Sequence, residues 1–186
     1  MPPMNPHLQA IGGALWAALL STLGDWIWAR FIPAHRPVYG LVHGTALCLG
    51  IGLYLGLTRR HGMAGAVAGA VIGFGAAGGY YVLARFLGYS AMFVLWMGLW
   101  IAFGLLVARG LGEPRQAMAS GWFRGGMAAI GSGLAFYAIS GIWTRHREGG
   151  PDYAYNFACW TIAFLPGFAA LLVRRPDPHP KTAETA

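Results

Sequence analysis

Apolar residues fall in six long blocks along this chain, and polar residues collect in the gaps between them. The blocks run from about 10 to 31, 38 to 57, 63 to 86, 91 to 111, 118 to 143 and 154 to 173. Arg30 and Pro33 close the first and Arg59 and Arg60 the second. Glu113 and Pro114 follow the fourth, the charged run TRHREGGPD follows the fifth, and Arg174, Arg175 and Pro176 stop the sixth. An apolar run of about 18 residues or more crosses the bilayer core, roughly 30 Å thick, as a helix. In lipid only helices and closed barrels satisfy every backbone group, and these runs are too long for barrel strands. The pattern therefore predicts an all-α integral membrane protein, a six-transmembrane-helix bundle with short loops. Residues 1–175 form one domain in this reading, and 176–186 (PDPHPKTAETA) a polar, disordered tail. Short loops make successive helices antiparallel neighbours and leave no room for a soluble module.

Composition agrees with the pattern. The chain is 56% hydrophobic and 10% charged, whereas soluble domains carry about 25% charged residues. Lipid must therefore solvate much of the surface. The net charge of +7 would suggest nucleic acid in a soluble protein. Here the cations sit at block ends, where they set topology and meet anionic lipid headgroups, so no nucleic-acid partner is expected. With six crossings both termini share a side. That side holds eight cations, Arg59, Arg60, Arg109, Arg115, Arg124, Arg174, Arg175 and Lys181, against five, Arg30, Arg36, Arg85, Arg145 and Arg147. The excess places both termini in the cytoplasm, with a bacterial inner membrane as the expected location. No Lys or Arg precedes the first block, so it is read as a retained helix rather than a secretory signal. Cys48 and Cys159 each lie inside a block without CxxC spacing, and are expected as buried free thiols.

Glycine adds a packing signal. The third block carries Gly65, Gly69 and Gly73, then Gly75 and Gly79, and the fifth carries Gly121 and Gly125. Small residues at this spacing let helix backbones approach closely in lipid. Packing within the bundle is the first expectation, and a homo-oligomer seam along one such face the second.

Polar chemistry is sparse. Asp25 lies in LGDWIWARF near the end of the first block, and a charge at membrane depth needs a partner. Arg30, Arg36 and His43 are the candidates. The bland reading is an ion pair pinning the first hairpin at the interface, with Trp26 and Trp28 marking headgroup level. The functional one is a proton relay or a polar headgroup clamp. Metal chemistry needs several converging ligands, and no HxxxH or HExxH is present, so no metal is assigned. Ser132 and Ser140 have no companion base and there is no GxSxG, so no catalytic residue is assigned. Trp96, Trp100 and Phe103 recur at helical spacing in the fourth block, and Phe136 and Tyr137 sit in the fifth. They are bundle core, a lipid-facing surface, or the wall of an apolar cavity.

Two stretches resemble the Insig family of six-span, sterol-sensing membrane regulators. One is GTALCLGIGLYLGLTRRHG, through Gly44-Thr45-Ala46, Leu53-Tyr54, Arg59 and Gly62. The other is PDYAYNFACW, through Pro151, Asp152, Tyr153 and Tyr155 at the entry to the sixth helix, with Gly98-Leu99-Trp100 as a third, weaker match. The resemblance implies a non-enzymatic bundle that binds a sterol or another lipid in an intramembrane cavity and has a sensing or regulatory role. In animal members the ligand-bound protein holds a sterol-sensing partner in the endoplasmic reticulum. This chain departs from them: VYGLVH replaces a proline pair, and Glu113 is displaced from the expected acidic position. A bacterial relative holding a diacylglycerol-like lipid is the reading that survives those departures, with a membrane-protein partner as a further expectation. Cavity candidates are Gly44, Thr45, Tyr54, Gly73, Gly79, Trp96, Trp100, Phe136 and Tyr137. Two rival readings remain. One is a small intramembrane enzyme or transporter using Asp25, Arg30, Arg36 and His43. The other is a structural subunit whose glycine faces serve assembly alone.

Overall fold

All six blocks are helices: α1 (Pro6–Phe31), α2 (Pro37–Leu57), α3 (Gly62–Leu87), α4 (Ser90–Arg109), α5 (Met118–Trp143) and α6 (Tyr153–Leu172). The computed structural model describes residues 5–31, 37–109, 118–143 and 152–173, without the side chains of Met118, Tyr137 and 139–143. The expected tail lies outside the described residues. The fold is an all-α membrane bundle. Helices α1 to α4 and α6 are long and apolar enough to cross a membrane. Helix α5 is as long as α1 and, over its sequence, no less apolar.

Local chemistry sets the helix ends. Asn5 precedes α1, and its Oδ1 accepts the His7 N–H at 2.9 Å, an N-cap bond that satisfies one of the four orphan donors of a first turn. Pro6 and Pro37 open their helices, where the missing N–H costs nothing. At the far end of α2 the His61 N–H returns to the Gly56 carbonyl at 2.8 Å, with Arg60 at φ 63°. This is the closure usually made with glycine in the left-handed position.

Each helix packs on the next in the chain, and α6 returns to α1. The closest pair is α2 with α3, backbone on backbone. A Cβ at Gly73 would lie 2.5 Å from the Gly44 carbonyl oxygen, and one at Gly65 would lie 2.9 Å from the Gly56 Cα. The same device joins α4 to α5, where a Cβ at Gly104 would stand 2.5 Å from the Gly121 oxygen. Of the expected glycines, Gly65, Gly69, Gly73, Gly121 and Gly125 lie in these two seams within one chain, whereas Gly75 has open space beside it and Gly79 faces Leu95. Lipid tails are as apolar as leucine, so burial alone does not hold such helices; close dispersion contact does.

The centre is filled rather than hollow between α4 and α6. Trp100, Phe103, Phe164 and Phe168 are fully buried there. Helix α1 meets this mass with a small face of Ala10, Ala14, Ala17 and Ala18, and Gly13 lies under the Phe168 ring. Cys48 and Cys159 are free and buried, as expected. Inside α6, Pro166 removes an N–H from the helix ladder. Ser132 of α5 donates to the nearby Ala163 carbonyl, the interhelical use of a membrane serine.

Candidate functional site

Asp25 is tied across the α1–α6 seam. Its hydrogen-bond partners among the described residues lie on α6, and its charge also acts on Tyr39 and His43 of α2. Asn156 Nδ2 and Trp160 Nε1 both donate to Asp25 Oδ2, each at 2.8 Å. One oxygen of a half-buried carboxylate thus collects two bonds from donors that carry no charge. Bonds to an ionised acceptor are roughly twice as strong as neutral ones, so this junction concentrates polar energy at one point of the α1–α6 seam. Sequence reading missed it because the partners lie 131 and 135 positions away, beyond any local spacing rule.

Of the other members of the expected polar cluster, His43 lies within electrostatic reach of Asp25. Arg30 is exposed, and Arg36 lies outside the described residues. His43 stacks on Tyr39 with ring centroids 5.9 Å apart and planes 6° apart. Its imidazole occupies the space where Gly24 has no side chain. The Tyr39 hydroxyl donates to the Gly24 carbonyl. His43 therefore packs as a wedge of the α1–α2 hairpin, on the residue next to Asp25. Two further bonds hold that hairpin: Trp16 Nε1 to the Gly50 carbonyl at 3.0 Å, and the Tyr54 hydroxyl to the Gln9 carbonyl at 2.7 Å.

The nine cavity candidates divide among several places. Gly44 and Gly73 lie in the α2–α3 seam. Thr45 turns back on its own helix, Oγ1 to the Leu41 carbonyl at 2.7 Å, the usual habit of a helical threonine. Gly79 faces Leu95 of α4. Trp96, Trp100 and Phe136 belong to the aromatic mass: Trp96 stacks on Phe136 at 5.2 Å and on Trp160 at 6.3 Å. The Tyr137 side chain lies outside the described residues. Of the helix-entry motif, Asp152 caps α6 by accepting the Tyr155 N–H at 3.0 Å. Tyr153 and Tyr155 follow on the first turn, half-buried, and Pro151 lies outside the described residues.

Tyr54 borders open space. It lines an apolar groove of about 450 Å³ together with Gly12, Leu15, Trp16 and Leu19 of α1 and Phe157 of α6. The α1 positions follow a helical i, i+3, i+4, i+7 repeat, so they form one stripe. Leu15 and Leu19 are 40% and 52% exposed, which opens the groove toward the lipid side. The glycine at 12 leaves room for the Tyr54 hydroxyl, which a Cβ there would meet at 2.7 Å. Gly12, Leu15, Trp16, Leu19 and Phe157 were not among the sequence candidates. A stripe of ordinary apolar residues looks the same whether it faces annular lipid or borders a groove.

Two further polar features lie away from Asp25 and the groove. Arg124 of α5 reaches the C-terminus of α6, with Nε donating to the Ala170 carbonyl at 3.0 Å and a second guanidinium nitrogen donating to Leu171. In the aromatic mass, the Trp96 and Trp100 indole N–H groups are buried without a hydrogen-bond partner. Searches against protein-family models, curated proteins and solved structures return no match for this chain.

Proposed function

We propose that this protein is a non-enzymatic, Insig-like membrane protein that holds a lipid, diacylglycerol-like or sterol, against the groove bounded by α1, Tyr54 and Phe157, and that occupancy serves sensing or regulation. The observation that carries the reading is the groove itself. It is apolar along its length and open toward the bilayer, and its volume suits an acyl chain or part of a ring system. Lipid sites of this kind are concave and mostly apolar, with few polar groups for orientation. The Tyr54 hydroxyl supplies one at the rim. Tyr54 also belongs to the stretch that resembles the Insig family. In this reading the termini face the cytoplasm of a bacterial cell, following the arginine excess on that side, and a membrane-protein partner reads the bound state.

Photo-crosslinking tests it. The full-length protein is placed in phosphatidylethanolamine vesicles with a trace of diazirine-bearing diacylglycerol or diazirine-bearing sterol. Labelling is expected to concentrate on residues 12–19 and Phe157, and Leu19→Trp, which fills the groove, is expected to reduce it at least about threefold with little change in melting temperature. Labelling spread evenly over exposed apolar positions such as Val67 and Val71 of α3 would show annular lipid only, and the reading would fall.

A further inference from the structure

We infer that Asp25 is a positioning residue for the groove: its carboxylate latches the first turns of α6 to α1 and thereby fixes Phe157 as the groove wall. The inference rests on the lipid-binding reading above and names the residues that control that site. Three observations carry it.

The first is the order of residues on α6. Asn156 and Trp160 both bond Asp25 Oδ2, and Phe157, which lines the groove, lies between them. Helical geometry gives Phe157 no independent position once residues 156 and 160, one turn apart, are tied to a single atom. The second is the rest of the α1–α6 seam. The buried face of α1 is alanine and glycine apart from Ser21, whose buried hydroxyl makes no hydrogen bond among the described residues, so it offers smooth dispersion contact and no directional bond. The latch is the directional contact that sets how α1 and α6 register at this membrane face. The third is where each side of the latch is anchored. Trp160 stacks on Phe164 at 5.5 Å and on Trp96 at 6.3 Å, joining the α4–α5–α6 aromatic mass. Asp25 adjoins Gly24, where Tyr39 and His43 clamp α1 to α2. The latch therefore ties the α1–α2 hairpin, which supplies Tyr54 and the α1 stripe, to the half that supplies Phe157. Loss of either donor or of the carboxylate frees one groove wall relative to the other.

The test uses the full chain in phosphatidylethanolamine–phosphatidylglycerol nanodiscs, with diazirine-bearing diacylglycerol as the probe. Two quantities are read: amide hydrogen exchange along α6, and the rate of probe release. The variants are Asp25→Asn, Asn156→Asp, their combination, Trp160→Phe and Phe157→Ala. Asp25→Asn and Trp160→Phe are expected to raise exchange at residues 153–160 and to speed release, each by roughly tenfold, the worth of one charge-assisted bond. The α2–α3 seam should be unchanged. Phe157→Ala should speed release without raising exchange at 153–160. Combining Asp25→Asn with Asn156→Asp restores a carboxylate–amide bond with the partners exchanged, and should recover at least half of the lost protection, a rescue that a general packing defect would not show. Uniform exchange increases in all helices, or none at 153–160, would overturn the latch. Local exchange with unchanged release would overturn its role in positioning Phe157. If the unsubstituted protein retains no probe, the lipid-binding reading fails, and the exchange data decide the latch alone.

Discussion

At the residue scale, what matters most is the absence of side chains at particular glycines. Twenty-nine glycines in 186 residues would be costly in a soluble helical protein, where each costs roughly 1 kcal/mol relative to alanine in a helix interior. Here their effect depends on place. Gly52 and Gly65 face each other across the α2–α3 seam, with backbone atoms directly where a Cβ would go, whereas Gly75 on the same α3 helix has open space beside it. Gly52→Ala is expected to lower stability by about 1–3 kcal/mol, since two backbones must separate to admit a methyl group. Gly75→Ala should be neutral or slightly stabilising. Thermal unfolding of the two variants in the same detergent checks both; equal effects would mean that the seam is looser than described. The glycine spacing was legible in the sequence because small-residue repeats have few other uses in lipid. Asp25 was legible as a polar anomaly but not in its partnership. Charge attraction and hairpin proximity favour Arg36, which lies outside the described residues, or His43, which the Asp25 charge does reach; the fold adds two neutral donors from the last helix.

At the element scale, polar termini and carbonyls at membrane depth decide how helices end and meet. The last four carbonyls of an α-helix have no intrahelical donor, and the C-terminal end carries partial negative charge. Arg124 answers both for α6 by donating to Ala170 and Leu171. In the sequence it counts as one more cytoplasmic cation; in the fold it is an interhelical cap. Arg124→Gln should destabilise the protein by roughly 1–3 kcal/mol by removing charge-assisted bonds. Arg124→Lys should fall between, because a single ammonium lacks the planar fork of the guanidinium. Unfolding titrations of the three proteins give the order, and a lysine variant as weak as glutamine would show that geometry outweighs charge. The α1–α2 pair follows a related logic. Tyr39, Trp16 and Tyr54 each send a side-chain donor to an α-helical carbonyl of the other helix, spanning a seam wider than the glycine contact of α2 with α3.

At the scale of the whole molecule, the arrangement is two hairpin-built halves joined at the α1–α6 and α3–α4 seams. The α1–α2–α3 half relies on glycine contacts and aromatic-to-carbonyl bonds, and the α4–α5–α6 half on a glycine seam and an aromatic mass. The proposed topology, taken from six crossings and the Lys/Arg count, has both termini on the cytoplasmic face. A C-terminal fluorescent-protein fusion should fluoresce and a C-terminal alkaline phosphatase fusion should be inactive in a bacterial host; the opposite pair of results would invert the topology. The groove spans both halves, which makes its shape a property of their docking rather than of any one helix.

The sequence by itself determined the class of protein, the number of helices, their ends to within a few residues and the glycine-packed seams. The reason is physical: lipid imposes length and apolarity on every crossing, and those demands are written into consecutive residues. Tertiary structure alone decided the partners of Asp25, the role of Arg124, the filling of the centre by Trp100, Phe103, Phe164 and Phe168, and the position of the groove. Each of these depends on which face of one helix meets which face of another, distant in the chain. In a bundle whose helices are apolar nearly all round, local periodicity does not encode that choice.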